Sequence, residues 1–435
     1  MMQQPPVRRE FLFLQGLAGP FFGRLATALQ HAGHGVCRVN FHGGDALFWP
    51  LPGAINYRQR PEQWPDFLEN LLVTRAVTDI VLFGDCRPMH RAAIQVANTL
   101  RVQVHVFEEG YIRPDWVTLE LGGVNGHSTL PRDPEWYVEA ARTLPPYGAD
   151  EGVPSSFRRR ALEDIGYNLA QTAMGWRFPH HKTHRPWHPL VEYAGWGWRL
   201  ARQAAAKRRS DQVLQNLQQD ARPFFVFPLQ LDCDYQIRLH SPFRGMQPAI
   251  EQVLSSFARH APAEYVLLVK EHPLDNGLIN WRKRVAKVAS AHGIAERVRY
   301  LEIGDIVPLV RDAAGVVTIN STSGTLALAS GVPVMTLGRA IYDLHRITFQ
   351  GTLDAFWTER PAPDAAVFDA FRRVLVSRCL IRGGYFSEAG LDMLVRGAMA
   401  RLEATAPGHA AVAVSGAHGA TSETNGAALA AVGRL

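Results

Sequence analysis

Two adjacent carboxylates followed by glycine, Glu108-Glu109-Gly110, close the apolar run Val106-Phe107. A carboxylate at a strand end stands at the mouth of an open α/β sheet, where such folds bind substrates, and there it can take the proton of an attacking hydroxyl. On its own the pair fits two solvated loop acids equally well. A second group, Lys270-Glu271-His272-Pro273, also follows an apolar run. Pro273 stiffens the chain, and His272 can donate a hydrogen bond to a phosphate oxygen, more strongly if protonated. By itself a His-Pro dipeptide is also an ordinary loop. The third group is Asn320-Ser321-Thr322-Ser323-Gly324-Thr325, ahead of a helical pattern over Leu326–Ser330. Hydroxyl residues and glycine at a helix N-terminus expose N–H groups and the positive end of the dipole to an anion. The same residues serve as plain helix caps.

Asp232-Cys233-Asp234, downstream of Gln230, forms an Asp-x-Asp. Such a pair can hold a divalent metal on a nucleotide diphosphate, or either aspartate can be a catalytic carboxylate facing a cleft. No metal is expected here. His180, His181, His184 and His188 cluster in sequence, but Pro179, Pro186 and Pro189 break any regular helix there, so a solvated group is expected rather than a metal site. Neither a P-loop nor a nucleophile elbow is present. Nucleic-acid-binding signatures are absent, so no nucleic-acid partner is expected.

These groups need strands to hold them. Apolar runs at Phe11–Leu14, Gly35–Phe41, Thr78–Gly84 and Val102–Phe107 alternate with helical patterns at Phe21–Ala32 and Met89–Leu100. The alternation restarts with strands at Phe224–Phe227, Tyr265–Val269, Val298–Leu301, Val316–Ile319 and Val334–Leu337. Strands separated by helices predict parallel sheets. The expected fold is α/β and GT-B-like: two Rossmann-like domains with a central cleft. The predicted division is an N-terminal domain at 1–130, a linker and basic, aromatic helical insertion at 131–218, a C-terminal domain with closing helices at 219–404, and a disordered, dispensable Ala/Gly-rich tail at 405–435. Within the insertion, residues 158–209 carry eleven Lys/Arg against three Asp/Glu, 11 − 3 = +8, interleaved with Trp176, Phe178, Trp187, Tyr193, Trp196 and Trp198. This predicts binding to an anionic membrane surface, with Trp196–Arg209 as a basic surface helix. The alternative is a solvated insertion whose tryptophans fill the core.

With 47% apolar and 20% charged residues in 435, the chain can bury a sizeable core, which excludes wholesale disorder. No apolar run approaches the roughly 18 residues that span a bilayer. The net charge, 46 − 40 = +6, leans toward anionic partners. Cys37, Cys86, Cys233 and Cys379 are too scattered for a disulfide framework and fit a reducing cytosol. Arg8-Arg9 before an apolar stretch imitates a twin-arginine signal, but the stretch reads better as a first strand feeding a glycine-rich turn.

Taken together, the acid-acid-Gly, His-Pro and Ser/Thr groups resemble those of bacterial transferases that use CMP-activated sialic acid or Kdo (3-deoxy-D-manno-oct-2-ulosonic acid). Longer strings resemble the KpsS/LipB capsule biosynthesis family over roughly residues 10–400. They are Gln15-Gly16 with Gly19-Pro20-Phe21-Phe22, Val39-Asn40-Phe41 with Gly43-Gly44-Asp45, Phe107–Tyr111 with Ile112-Arg113-Pro114, Pro228-Leu229-Gln230 with Asp234-x-Gln236-Ile237, and Ser241-Pro242-Phe243. The resemblance implies a retaining β-Kdo transferase at the cytoplasmic face of the inner membrane. It would move Kdo from CMP-Kdo to a phosphatidylglycerol-type lipid and start a poly-Kdo linker of capsular polysaccharide, beside other capsule biosynthesis and export proteins. It implies Glu109 as base or acid, Asp234 as second carboxylate, and His272 with Ser321, Thr322, Ser323 and Gly324 on the CMP phosphate. Gln230 and Lys270 join the donor site. Gly16, Asn40, Asp85, Glu108, Gly110 and Arg113 are further cleft candidates. CMP is a monophosphate leaving group, so one histidine and one helix N-terminus can neutralise much of its developing charge without a metal. A non-catalytic glycolipid-binding partner of an export assembly, and a transferase of another acid sugar such as sialic acid, stay open as alternatives.

Overall fold

The computed structural model describes residues 8–148, 152–182, 187–406 and 408. Twelve strands are present among them: β1 (Glu10–Phe13), β2 (Gly35–Asn40), β3 (Ile55–Asn56), β4 (Asp79–Phe83), β5 (Gln103–Glu109), β6 (Trp116–Leu121), β7 (Phe224–Pro228), β8 (Val266–Lys270), β9 (Val298–Leu301), β10 (Gly315–Thr318), β11 (Val334–Thr336) and β12 (Leu380–Arg382). The first sheet runs β12-β6-β5-β4-β1-β2-β3 and the second β11-β10-β7-β8-β9. All pairs in the second sheet are parallel. In the first, only the pairs made by β6 are antiparallel. Central strands such as β4 and β8 are buried at every position, because helices cover both faces of a parallel sheet. The expected pair of Rossmann-like domains is therefore present. Strand order reverses between β1 and β4 in one sheet and between β7 and β10 in the other. Such switch points open a crevice at the carboxyl ends of the strands.

Three expected boundaries change. Strand β5 continues to Glu109, so both acids lie within it, opposite Thr118 and Val117 of β6. After β11 the chain returns to the first domain. The helix Ala365–Arg378 packs on the helix Pro134–Ala141, with Phe371 against Tyr137, while β12 pairs with β6 and the helix Glu388–Ala404 covers the helix Phe21–His31. The closing helices assigned to a domain at 219–404 thus complete the first sheet, and Pro134–Ala141 is part of its packed body rather than a linker. The basic surface helix expected over Trp196–Arg209 is two helices, Pro189–Ala201 and Gln203–Asp220, parted at Arg202.

Arg9 of the Arg8-Arg9 pair is buried. Its guanidinium forks onto Asp79 and donates to the carbonyls of Leu402 and Thr405 at 2.5 and 3.1 Å, tying β1 to the end of the last helix. Apart from Thr405, Ala406 and Gly408, the Ala/Gly-rich tail lies outside the described residues.

Candidate active site

The alternation of side chains along a strand sends Glu108 and Glu109 in different directions. Glu109 is pinned at both oxygens: Arg113 sits 2.8 Å from Oε2 and Arg160 2.9 Å from Oε1. Burial would raise this carboxyl, but the two guanidiniums more than offset it and hold Glu109 below the usual carboxylate range. Glu108 has no such partner charge at hand. Desolvation, with Glu109 and Asp234 adding repulsion, pushes it up to about 8 against the Glu109 N–H, which donates to Oε1 at 3.1 Å, and a weaker pull from Arg87. Gly110 follows because a Cβ there would collide with the Trp116 carbonyl oxygen. The glycine lets the hairpin close.

The second domain answers from β7, β8 and β10. Asp234 caps the helix Tyr235–His240, accepting from the Gln236 N–H at 2.9 Å. Burial and the charge of Glu109 raise its carboxyl, while the Gln236 N–H and Arg113 pull the other way. His272, just past β8, accepts the Leu274 N–H at Nδ1 at 3.1 Å, which leaves its own proton on Nε2, free to donate. Burial, then Arg113 and Lys270, press it down to about 4 against the pull of Glu109. His272 is therefore a neutral donor at pH 7 rather than the protonated one weighed from sequence. Glu109, Asp234 and His272, with Arg113, thus meet across the cleft.

The Ser/Thr loop follows β10. Ser321 Oγ accepts from the Ser323 N–H at 3.2 Å, and Tyr342 donates to the Ser321 carbonyl at 2.5 Å. Thr322 makes no capping bond to the helix Ser323–Ala329. Gly324 is demanded by Tyr342, whose hydroxyl would stand 2.5 Å from a Cβ. Thr325 reaches the Tyr111 carbonyl of the first domain at 3.4 Å. Several expected binding residues instead hold neighbours. The Gln230 side chain is matched at both ends to Asn320, at 2.8 and 3.2 Å. Lys270, pressed by burial to about 8, donates to the Glu271 carbonyl at 2.7 Å. Asn40 links Arg38 to Asn56, and Gly16 lies against the Phe22 ring. The Asp-x-Asp is split: Asp232 accepts the Met246 N–H at 2.8 Å and so starts a different helix from the one Asp234 caps. The histidine cluster is dispersed as well. His181 packs on His42 and His188 accepts from the Leu190 N–H, while His184 lies outside the described residues. Asp85 belongs to another group, at the seam of the two domains.

Arg160 is a candidate site residue that sequence reasoning missed, paired with Glu109. It lies on the helix Phe157–Ala173, inside the insertion, and in sequence Arg158-Arg159-Arg160 counts only toward the basic stretch at 158–209 expected on a membrane surface. The insertion touches the donor side too: Arg199, on the helix Pro189–Ala201, sits 3.0 Å from Glu271 Oε1 and donates to the Asp275 carbonyl. The face of that helix turned away carries Leu190, Val191, Ala194, Gly197, Trp198 and Ala201, all exposed. This is a helical stripe, apolar and facing out.

Two Rossmann-like domains whose strand ends bring carboxylates, a histidine and guanidiniums into one cleft define a GT-B-type protein, the architecture of many sugar transferases. The chain belongs to the capsule polysaccharide biosynthesis protein family, whose family model matches residues 78–386. It is 34% identical over 385 residues to the capsule polysaccharide export protein KpsS of Escherichia coli, covering 87% of this chain and 97% of that one. The capsule polysaccharide modification protein LipB of Neisseria meningitidis serogroup B is likewise 34% identical, over 392 residues, covering 87% and 91%. Among solved structures, Thermosulfurimonas dismutans KpsC, a beta Kdo 2,7 transferase, matches with 13% identity over 90% of this chain and 100% of that chain at a TM-score of 0.42. Among the described residues no helix is long and apolar enough to cross a membrane.

Proposed function

We propose that this capsule protein is a retaining β-Kdo transferase that moves Kdo from CMP-Kdo to a phosphatidylglycerol or lysophosphatidylglycerol acceptor and initiates the poly-Kdo linker. The observation that carries the reading is the meeting of Glu108, Glu109, Asp234 and His272 at the strand ends of two facing domains. Retention is met by two displacements, with front-face attack without a covalent step as the alternative route. In the first, an Asp234 carboxylate oxygen attacks the anomeric carbon as the bond to the CMP phosphate oxygen breaks and its electron pair leaves with CMP. In the second, the lipid hydroxyl attacks the same carbon, loses its proton to a base and frees Asp234. Of the two strand acids, Glu108 suits the base: a group near 8 is poised to exchange protons at working pH, whereas both Glu109 oxygens are already engaged. Glu109 instead anchors Arg113 and Arg160 beside the donor. Neutral His272 and the Ser321–Ser323 loop supply hydrogen bonds to the phosphate, and no metal is assigned to this step.

The insertion supports the lipid half of the proposal. Trp176 is 75% exposed, Trp198 60% and Leu190 66%, so these side chains do not fill a core. Arg177 lies over Trp176 and Arg202 over Trp198. Exposed tryptophan with a basic neighbour fits an anionic headgroup layer on the cytoplasmic face of the inner membrane. The test is mass spectrometry of the purified protein incubated with CMP-Kdo and a fluorescent phosphatidylglycerol analogue. A product heavier by one Kdo is expected. Turnover with CMP-sialate alone would transfer the assignment to another acid sugar, and lipid binding without any turnover would leave a binding partner.

A further inference from the structure

Behind the cleft carboxylates, at the seam of the two domains, four side chains of metal-binding type converge. Asp85 and Cys86 follow β4, His127 lies in the turn after β6, and His240 ends the helix that Asp234 begins. One candidate ligand atom from each lies within 4.8 Å of all the others. His127 Nδ1 is 2.9 Å from Asp85 Oδ2, and Cys86 Sγ is 3.1 Å from Asp85 Oδ1 and 3.2 Å from His240 Nε2. The two imidazole centroids are 4.4 Å apart. Asp85 and His240 are each 1% exposed and Cys86 4%, while His127 faces solvent and opens a route inward.

Hydrogen bonds link these four side chains, but they leave one buried polar atom of the group, His240 Nδ1, without a partner. The Val124 N–H holds the Asp85 carboxylate at 3.0 Å, the kind of outer hydrogen bond that orients a ligand. A tetrahedral ion with bonds of about 2.0–2.3 Å sets its ligand atoms about 3.3–3.7 Å apart. The three hydrogen-bonded pairs, at 2.9, 3.1 and 3.2 Å, are slightly tighter than this and all four ligand atoms lie within 4.8 Å of one another, so side-chain adjustment alone can bring them round an ion. Two imidazole nitrogens, one sulfur and one carboxylate oxygen form a donor set that suits zinc.

We propose that Asp85, Cys86, His127 and His240 form a zinc-type site that joins the two domains. The first three belong to the N-terminal domain and His240 to the other, and Cys86 and His240 are 154 residues apart. No short Cys/His spacing announces such a site in the sequence. On binding, the Cys86 sulfur gives its proton to solvent and takes the ion as thiolate, so one proton leaves per ion. The ion would fix the far end of the Asp234 helix against the first domain. The site is apart from the phosphate loops and stands whether or not the transferase reading does.

The test uses the full chain, stripped with EDTA and dialysed, with Co²⁺ as the spectroscopic probe and Zn²⁺ as competitor. Expected are one zinc per chain by elemental analysis, a near-ultraviolet thiolate-to-cobalt band that Zn²⁺ removes, and a higher melting temperature with Zn²⁺. Cys86→Ser should abolish the band. The exposed His127→Ala, which leaves the buried part intact, should weaken zinc binding at least tenfold and guards against a folding defect in the first variant. No stoichiometric zinc and no thiolate band in the unaltered protein would overturn the proposal. Unchanged zinc binding in both variants would overturn it equally, by placing the ion elsewhere.

Discussion

The two walls of the cleft treat charge in opposite ways. At the end of β5, Glu109 is kept ionised by Arg113 and Arg160. At the end of β8 Lys270 is pressed to about 8, and just past it His272 to about 4. The same two arginines act on both walls, since Arg113 and Arg160 also disfavour the charged form of His272. The first wall therefore carries an ionised carboxylate at Glu109, and the second a neutral imidazole beside an ammonium whose charge burial disfavours. An anionic sugar nucleotide entering between them meets guanidiniums already oriented by Glu109, together with an imidazole N–H that gains a proton more readily once a phosphate lies against it.

The sharpest way to break this comparison is to remove the carboxylate that stands on the second wall. Asp234→Asn should lower turnover by at least about 10³-fold, the scale on which a nucleophile is missed, while CMP affinity by calorimetry stays near that of the unaltered protein. Full activity of this variant would end the double-displacement assignment. The adjacent acids come next. Glu108→Gln should cost about 10²–10⁴-fold, the usual contribution of a positioned base. It should also erase a pH dependence. Glu108 is protonated below about 8, so its base form grows as pH rises toward that value, and the acceptor step should rise with it in the unaltered protein but not in the variant. Glu109→Gln should keep that rise and instead lose donor affinity as Arg113 and Arg160 lose their anchor. A rise that vanished with Glu109→Gln and survived Glu108→Gln would exchange the two roles.

What could be read from sequence divides along the same line. Glu109 and His272 closely follow the apolar runs Val106-Phe107 and Val266–Val269, and Asp234 lies in the loop after Phe224–Phe227, so short local strings place all three near strand ends. The runs at β4, β7 and β8 are legible because strands buried on both faces are almost wholly apolar, with the charged exceptions Asp79 and Lys270 standing at strand ends. Strand β6 is not: Trp116–Leu121 carries Thr118 and Glu120 inward, and Glu120 meets its partners Tyr111, Ser128 and Cys379 in the folded chain. Strand β12, at three residues, is too short for any pattern. Arg160 stayed hidden because its partner Glu109 lies 51 residues away, and a run of three arginines looks alike whether it is solvated or aimed into a cleft. Distant partners are invisible to spacing.

A milder perturbation tests the coupling between the walls. Arg160→Gln should relax Glu109 upward and His272 upward together, because one cation is withdrawn from both. A histidine proton signal titrating above about 4 in the variant would show this directly, and an unmoved His272 would mean the walls act separately. His272→Ala should weaken CMP binding by about tenfold, near 1.4 kcal/mol.

The smallest effect on chemistry, and the most specific to where the chemistry takes place, is expected from the outward stripe of the helix Pro189–Ala201. Its inner face is fixed to the donor loop by Arg199, while Leu190, Trp198 and Leu200 stand in solvent at 66%, 60% and 62% exposure. A helix that turns its apolar residues outward gives up burial worth about 1.5–3 kcal/mol per large side chain, a cost that makes sense only where another apolar phase receives them. Basic residues near an anionic leaflet add about 1 kcal/mol each. Trp198→Ser with Leu190→Ser should therefore leave the melting temperature and the turnover of a detergent-solubilised acceptor nearly unchanged, yet sharply reduce co-sedimentation with phosphatidylglycerol vesicles and turnover of acceptor embedded in them. Equal binding of the unaltered protein to neutral and phosphatidylglycerol vesicles at low salt would remove the electrostatic part of the argument. Retention of the double variant on both would show that the stripe serves something other than a membrane.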